Sequence, residues 1–184
     1  YNTDDWFGYL EPTWQESLAD FPSVAVSRLP AISPDDAMAL VQRSIEYQTN
    51  PELGMWQATA ILIADDDRVG SSCDGIPHTD FAEQLSDEGL PAMFRQVKIY
   101  LTEYPPEATG LKTAAKNDFI ENLNRGALLT NFVGHGDPYR LAQEEVYNPA
   151  AIDLVYTGPR RTFFIAASCN VSRFDDPVGT SMAE

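Results

Sequence analysis

Residues 128–136 read LLTNFVGHG, an apolar run that ends in a histidine between two glycines. A second apolar run, TFFIAASC at residues 162–169, ends in a cysteine. Short apolar runs of this kind predict strands that are buried on both faces, as in a parallel sheet. Ligands of open α/β sheets bind outside the carboxyl ends of the strands. The two runs therefore predict that His135 and Cys169 lie side by side at one edge of a sheet.

The rest of the chain alternates between strand and helix patterns. Further strands are predicted at residues 24–27, 58–64 and 97–101, with Lys98 marking an edge or solvated position. Helices are predicted from Ser33, at 77–88, at 112–124 and after Asp176, with short helical turns at 142–146 and 149–154. Strands joined by helical crossovers predict a mostly parallel sheet with helices on both faces. We expect one α/β domain over residues 1–184, with an irregular lead-in at 1–22, cut from a longer protein.

The charge balance excludes some partners. The chain has 28 acidic and 12 basic residues and a formal net charge of −16. Such a surface repels nucleic acids and anionic membranes, whose binding needs clustered cations. No apolar run approaches the roughly 18 residues that a membrane-spanning helix needs. An acid-rich, lysine-poor composition also fits a surface adapted to high salt, where self-repulsion is screened.

The two strand ends carry complementary chemistry. A histidine takes a proton from a thiol at neutral pH, and the resulting thiolate is a nucleophile. The backbone amides of Gly136 and Cys169 are candidate donors to a developing oxyanion. The other cysteine, Cys73, lies in a polar loop, and a disulfide between the two stays open from sequence. Two histidines and two scattered cysteines are a poor zinc set, so no metal is predicted.

These motifs resemble the caspase-like clan of cysteine peptidases, and within it the gingipain (C25) family. The resemblance rests on YNTDDW at 1–6, VAVSRLP at 24–30, IADD at 63–66, NFVGHG at 131–136 and ASC at 167–169. It implies a caspase-like three-layer sandwich. After the cysteine, NVSRFDDP at 170–177 is similar to the signal peptidases of the type IX secretion system (PorU-type) rather than to secreted gingipains.

The resemblance also implies an activity and its residues. Cys169 would be the nucleophile and His135 the general base and acid of an endopeptidase or sortase-like transpeptidase. Asp65, or its neighbour Asp66, matches an acid that gingipains carry near this dyad. The implied substrates are proteins or peptides, with removal of C-terminal secretion signals from cell-surface cargo. Secretion-system proteins are implied partners, and a secreted or cell-surface location is implied.

The specificity pocket departs from the family pattern. Arginine-specific gingipains carry an acid just before the helix that matches residues 77–88, whereas this chain has Gly75 there, with Asp74 beside it. Arginine preference is therefore not implied. Asp74, Val133 and Ala167 are candidate pocket residues, and His78 is expected to begin the helix. No cofactor is expected; gingipains bind calcium, which leaves a structural calcium ion open.

Two other classes of function remain open at this point. A non-catalytic caspase-like module that binds a peptide or partner protein would fit a chain shorter than the catalytic domains of this family. An α/β binding domain whose strand-end acids hold a cation is the other alternative. The peptidase hypothesis differs from both because it requires a reactive thiol at Cys169.

Overall fold

The computed structural model describes residues 4–10, 22–69, 72–155, 158–174, 176, 179 and 181–182. Residue contacts divide the chain into two compact units, residues 1–43 and 44–184. The helices are α1 (Pro34–Thr49), α2 (His78–Gln84), α3 (Thr113–Arg125) and α4 (Pro149–Ile152). The strands are β1 (Thr59–Ala64), β2 (Arg68–Val69), β3 (Ser72–Cys73), β4 (Arg95–Tyr100), β5 (Leu129–Val133), β6 (Gly136–Asp137), β7 (Arg140–Leu141) and β8 (Phe163–Ala167).

The larger unit is built on a four-stranded sheet in the order β4-β1-β5-β8. Every pairing in this sheet is parallel, which confirms the predicted parallel architecture. β1 lies inside the sheet, and all six of its residues are buried. β4 lies at one edge of the sheet, as Lys98 predicted. β8 lies at the other edge, and four of its five residues are exposed, so the prediction that this strand is buried on both faces is wrong. Two small antiparallel hairpins, β2-β3 and β6-β7, follow the ends of β1 and β5.

Helices cover both faces of the sheet, giving three layers. On one face, Phe119 of α3 packs with Ile61, Ile63 and Phe132 in the larger core cluster. On the other face, Ala82 of α2 packs with Leu62 in a smaller cluster. Side chains alternate between the faces of a strand, so the continuous apolar runs in the sequence supply both cores.

Helix ends follow local chemistry. The Asp36 amide of α1 donates to Ser33 Oγ at 3.1 Å, the cap that the sequence predicts. Gly126 ends α3 with a φ of 92°, a conformation that favours glycine. None of the helices in the described ranges is both long and apolar enough to cross a membrane.

Some predicted elements differ from the structure. Residues 24–27 form no strand; Val24 and Val26 are exposed, and the Val24 amide donates to the Gly8 carbonyl without forming a ladder. Residues 142–146 form turns instead of a helix, since Ala142 and Glu145 adopt positive φ values of 60° and 54°. A right-handed helix cannot continue through such residues.

Other predictions fall partly outside the described residues. The lead-in at 1–22 is described only at residues 4–10 and 22, where a 3₁₀ turn spans Asp5–Gly8. The helix expected after Asp176 begins at residues that the structure leaves undescribed. The single-domain prediction stays a prediction beside the two compact units.

Candidate active site

The register of β5 and β8 brings the two predicted strand ends together. Val133 is the register partner of Ala167, and the Gly134 amide donates to the Ala167 carbonyl at 3.3 Å. His135 and Cys169 each lie two residues beyond this pair. Both residues lie just beyond the ends of their strands, which close at Val133 and Ala167. The parallel pairing therefore brings the two strand exits, with His135 and Cys169 just beyond them, to the same edge of the sheet.

The ring of His135 is held by a carboxylate from a loop. Its Nε2 lies 2.6 Å from Oδ2 of Asp74. The Asp74 side chain is 10% exposed and the His135 side chain is 36% exposed, so the pair is shielded on one side and open to solvent on the other. The pKa of Asp74 lies below its ordinary value. The main cause is the hydrogen bond from the Ile76 amide, and the second is the contact with His135. An ionised carboxylate accepts only, so Nε2 of His135 is the donor.

Asp74 is itself fixed by its own loop. Its amide donates to the Asp67 carbonyl at 2.9 Å, next to the β2-β3 hairpin. Its Oδ1 accepts from the Ile76 amide at 2.8 Å, and Gly75 turns the chain between them with a φ of 75°. Asp–Gly pairs favour turns because the side chain bonds the backbone and glycine tolerates positive φ. Asp74, predicted as a pocket residue, thus lies against the His135 ring.

Asp65 lies near His135 but contacts its backbone. Asp65 Oδ2 accepts from the His135 amide at 2.9 Å, and Oδ1 accepts from the Asp66 amide at 2.9 Å. Burial raises the pKa of Asp65 to about 7, against the opposing effect of the His135 amide. A Cβ on Gly134 would collide with Asp65 Cβ, so only glycine leaves room for this carboxyl. Asp65 therefore holds the backbone where the chain leaves β5, and the acid that contacts the His135 ring is Asp74.

Asp66 serves a buried ion pair. Its Oδ2 lies 2.6 Å from Nζ of Lys112, which also donates to the Leu101 carbonyl at 2.7 Å. The Asp66 carbonyl accepts from Nδ1 of His78 at 3.1 Å. Asp66 and Lys112 are buried, so each supplies the charge that the other needs.

His78 begins α2, as expected, and packs against His135. The two rings meet edge to face with their centroids 5.2 Å apart, and His78 is buried. The sequence predicted that His78 begins the helix and left a place in the cleft as the lesser alternative. The contact between the two histidine rings depends on how the loop after β3 carries α2 to the sheet edge, and no sequence periodicity signals it.

Cys169 follows β8 as an exposed free thiol, and Cys73 is also free and exposed. The residue after Cys169, Asn170, has a positive φ of 53°, so the chain turns sharply behind the thiol. Cys73 Sγ lies 3.9 Å from Oδ2 of Asp67 in the hairpin loop. The two cysteines therefore occupy different surroundings, and no disulfide joins them.

Gly136, the predicted oxyanion donor, begins β6 and lies close to the residue before the cysteine. A Cβ on Gly136 would lie 2.5 Å from Ser168 Oγ. Ser168 Oγ is buried and has no hydrogen-bond partner among the described residues. The segments that follow β5 and β8 are therefore closely packed at this point.

A cavity of about 670 Å³ lies beside β8, on the face that carries Phe164 and Ala166. Phe164, Ala166 and Ser168 line it from the strand and its exit. The candidate pocket residues Val133 and Ala167 lie on the other face of the sheet. The cavity is therefore separate from the pocket that the sequence predicted.

Within the described ranges, two groups of side chains have ligand atoms within 4.8 Å of one another: Asp65, Asp66 and Glu144, and Asp74, His78 and His135. In the first group, the Lys112 ammonium already supplies a positive charge at Asp66. In the second, the direct bond between Asp74 and His135 uses atoms that a cation would need. Neither group is assigned to a metal, and a structural calcium ion stays a prediction.

A family model for peptidase family C25 matches residues 1–184. The chain belongs to peptidase family C25. This assignment confirms the gingipain-type resemblance, and the PorU-type resemblance stays a prediction. Among curated proteins, none matches the chain.

Two solved structures share the fold of this C25 chain. One is the Arg-specific cysteine proteinase gingipain R (RgpB), with a TM-score of 0.63 and 17% identity over 82% of this chain. The other is the complex of the pro- and mature domains of RgpB from Porphyromonas gingivalis, with a TM-score of 0.59 and 19% identity over 82% of this chain. The matches cover 33% and 34% of those chains, so this chain spans about a third of their length. The likeness confirms the caspase-like three-layer sandwich.

Proposed function

We propose that the protein containing this chain is a cysteine peptidase or transpeptidase that uses Cys169 as nucleophile and His135 as general base and acid. The observation that carries the proposal is the pairing of Val133 with Ala167, which puts the ends of two strands side by side, two residues before His135 and Cys169. Membership of the C25 family supports the same reaction class. The formal charge of −16 argues against a nucleic-acid substrate.

The proposed reaction forms and breaks bonds in two stages. The His135 imidazole takes the thiol proton of Cys169, and the thiolate attacks the carbonyl carbon of a peptide bond. The bond from carbon to nitrogen then breaks, and the imidazolium returns the proton to the leaving amine. In the second stage, His135 takes a proton from water or an incoming amine, which attacks the thioester carbon. The carbon–sulfur bond breaks, and the Cys169 thiolate regains the proton. Both reacting groups come from the chain, so this chemistry needs no cofactor.

The backbone amides of Gly136 and Cys169 are the proposed donors to the oxyanion. Gly136 begins β6 next to Ser168, so it lies beside the residue that precedes the nucleophile. Preorganised amides of this kind stabilise charge that develops in the transition state.

The proposed substrates are C-terminal secretion signals of cell-surface cargo, either hydrolysed or exchanged for an amine acceptor. This finer proposal rests on the resemblance of residues 170–177 to type IX signal peptidases. A secreted or cell-surface location and secretion-system partners belong to the same proposal. The alternative is a non-catalytic peptide-binding module. The support for it is that this chain spans about a third of the length of gingipain R.

Single substitutions in the whole protein distinguish these functions. Cys169→Ala and His135→Ala are expected to abolish cleavage of a fluorogenic peptide library, whereas Cys73→Ala, the matched control, keeps it. General acid–base catalysis alone contributes about 10²- to 10⁴-fold. Full cleavage by Cys169→Ala would overturn the proposed role of Cys169, and no cleavage by the wild-type protein would leave the binding module.

A further inference from the structure

We propose that Asp74 is the positioning residue of His135, which it holds through Nε2 so that Nδ1 faces the reaction. This inference rests on the proposed function of His135. It assigns to a loop residue the part that the family resemblance implied for Asp65.

Asp74 and Asp65 differ in which part of His135 they contact. Asp74 Oδ2 meets the His135 ring at 2.6 Å, whereas both Asp65 oxygens accept backbone amides. A group that orients an imidazole must bond a ring nitrogen, since this bond sets the tautomer. Of these two acids, Asp74 meets that requirement.

Asp74 is also rigid enough to position a ring. Its Oδ1 and its amide are both bonded within the hairpin loop, to the Ile76 amide and the Asp67 carbonyl. The buried His78 ring packs edge-on against His135 and limits its rotation. The orientation of His135 is therefore fixed before any substrate binds.

The tautomer follows from the donor and acceptor roles. A carboxylate accepts, so His135 donates from Nε2 and its neutral ring carries a lone pair on Nδ1. Nδ1 is then the atom that takes the proton of the Cys169 thiol and returns it to the leaving amine. The proton never passes to Asp74, which stays ionised throughout.

The same contacts disfavour a role for Asp74 in substrate recognition. Oδ1 is bonded to the loop and Oδ2 to His135, so pairing with a substrate cation would compete with both contacts. Asp74 therefore affects the rate of the chemical step without selecting basic side chains.

The test compares Asp74→Asn, Asp74→Glu and Asp67→Asn in the whole protein, with a peptide chosen from a fluorogenic library. Asp67→Asn removes an exposed carboxylate from the same loop and is the matched control. Asp74→Asn is expected to lower kcat by on the order of 10²-fold with KM unchanged, as misplacement of a catalytic group does. Asp74→Glu restores part of kcat, and the relative kcat/KM for arginine and alanine peptides does not change.

A second readout is independent of activity. Nitrogen NMR of ¹⁵N-histidine-labelled protein, with His135 assigned by a His135→Gln variant, is expected to show the neutral ring protonated at Nε2, and Asp74→Asn to lose that preference. If Asp74→Asn leaves both the His135 tautomer and kcat unchanged, this inference is overturned, but the proposed roles of His135 and Cys169 are not. Loss of arginine preference with kcat intact would return Asp74 to the pocket. Full activity in Cys169→Ala would instead overturn the proposed function.

Discussion

Lys112 and Asp66 form a buried ion pair that joins the start of α3 to the end of β1. Nζ and Oδ2 are 2.6 Å apart, and the two side chains are 5% and 8% exposed. Lys112 also satisfies the Leu101 carbonyl at the end of β4. This pair ties together three elements next to the candidate active site.

Removing one partner of this pair is expected to be costly. Lys112→Met leaves Asp66 buried without its counter-charge, which typically costs about 3–5 kcal/mol of unfolding free energy. The double variant Lys112→Met/Asp66→Asn should lose less than the sum of the single losses. Arg125→Met, which breaks an exposed pair with Glu121, is the control and should cost about 0–1 kcal/mol. Equal losses for Lys112→Met and Arg125→Met in urea unfolding would contradict the buried pairing.

The raised pKa of Asp65 predicts a pH dependence of stability. Burial raises this pKa from 3.8 to about 7, so between these values the folded state holds a proton that the unfolded state has lost. Stability from this group is therefore fully present below the unfolded pKa and is lost as the pH rises through the folded pKa near 7. The slope is at most about 1.4 kcal/mol per pH unit.

The measurement compares unfolding free energies of the wild type and Asp65→Asn between the two pKa values and above them. The difference between the two proteins should change across this range and become constant once the pH exceeds the folded pKa of about 7, because an asparagine side chain does not titrate. Parallel curves would show that Asp65 ionises normally in the folded protein.

The close approach of Gly136 to Ser168 predicts a rescue by a second substitution. Gly136→Ala places a Cβ 2.5 Å from Ser168 Oγ, which should cost about 1–3 kcal/mol and reduce peptide cleavage. Ser168→Ala removes that oxygen, which has no partner in the described part of the chain, and should be nearly neutral alone. The double variant should recover part of both losses. If Ser168→Ala gives no recovery, the steric account of Gly136 is wrong.

Short apolar runs in the sequence predicted the strands β1, β5 and β8. Burial explains the runs of β1 and β5, whereas β8 lies at the sheet edge with four of its five residues exposed. The separation of His135 and Cys169, 169 − 135 = 34 positions, equals the register offset of Val133 and Ala167, 167 − 133 = 34. Capping residues likewise predicted the start of α1 and the end of α3.

The sequence could not predict which acid meets the His135 ring. Asp65 follows a strand adjacent to β5, which favoured it, whereas Asp74 is 61 positions from His135 and reaches it through a loop. The Asp74-Gly75 turn was the available signal, but a turn does not reveal where its side chain points. Tertiary placement of the loop decided the contact.

The rate of alkylation of Cys169 tests the central claim most directly. At pH 6 an ordinary cysteine holds under about 1% thiolate, so only an activated thiol reacts quickly with iodoacetamide. We expect Cys169 to react at least about tenfold faster than Cys73, measured by mass spectrometry, and to lose this advantage in His135→Ala. Equal rates for Cys169 and Cys73 in the wild-type protein would contradict the dyad.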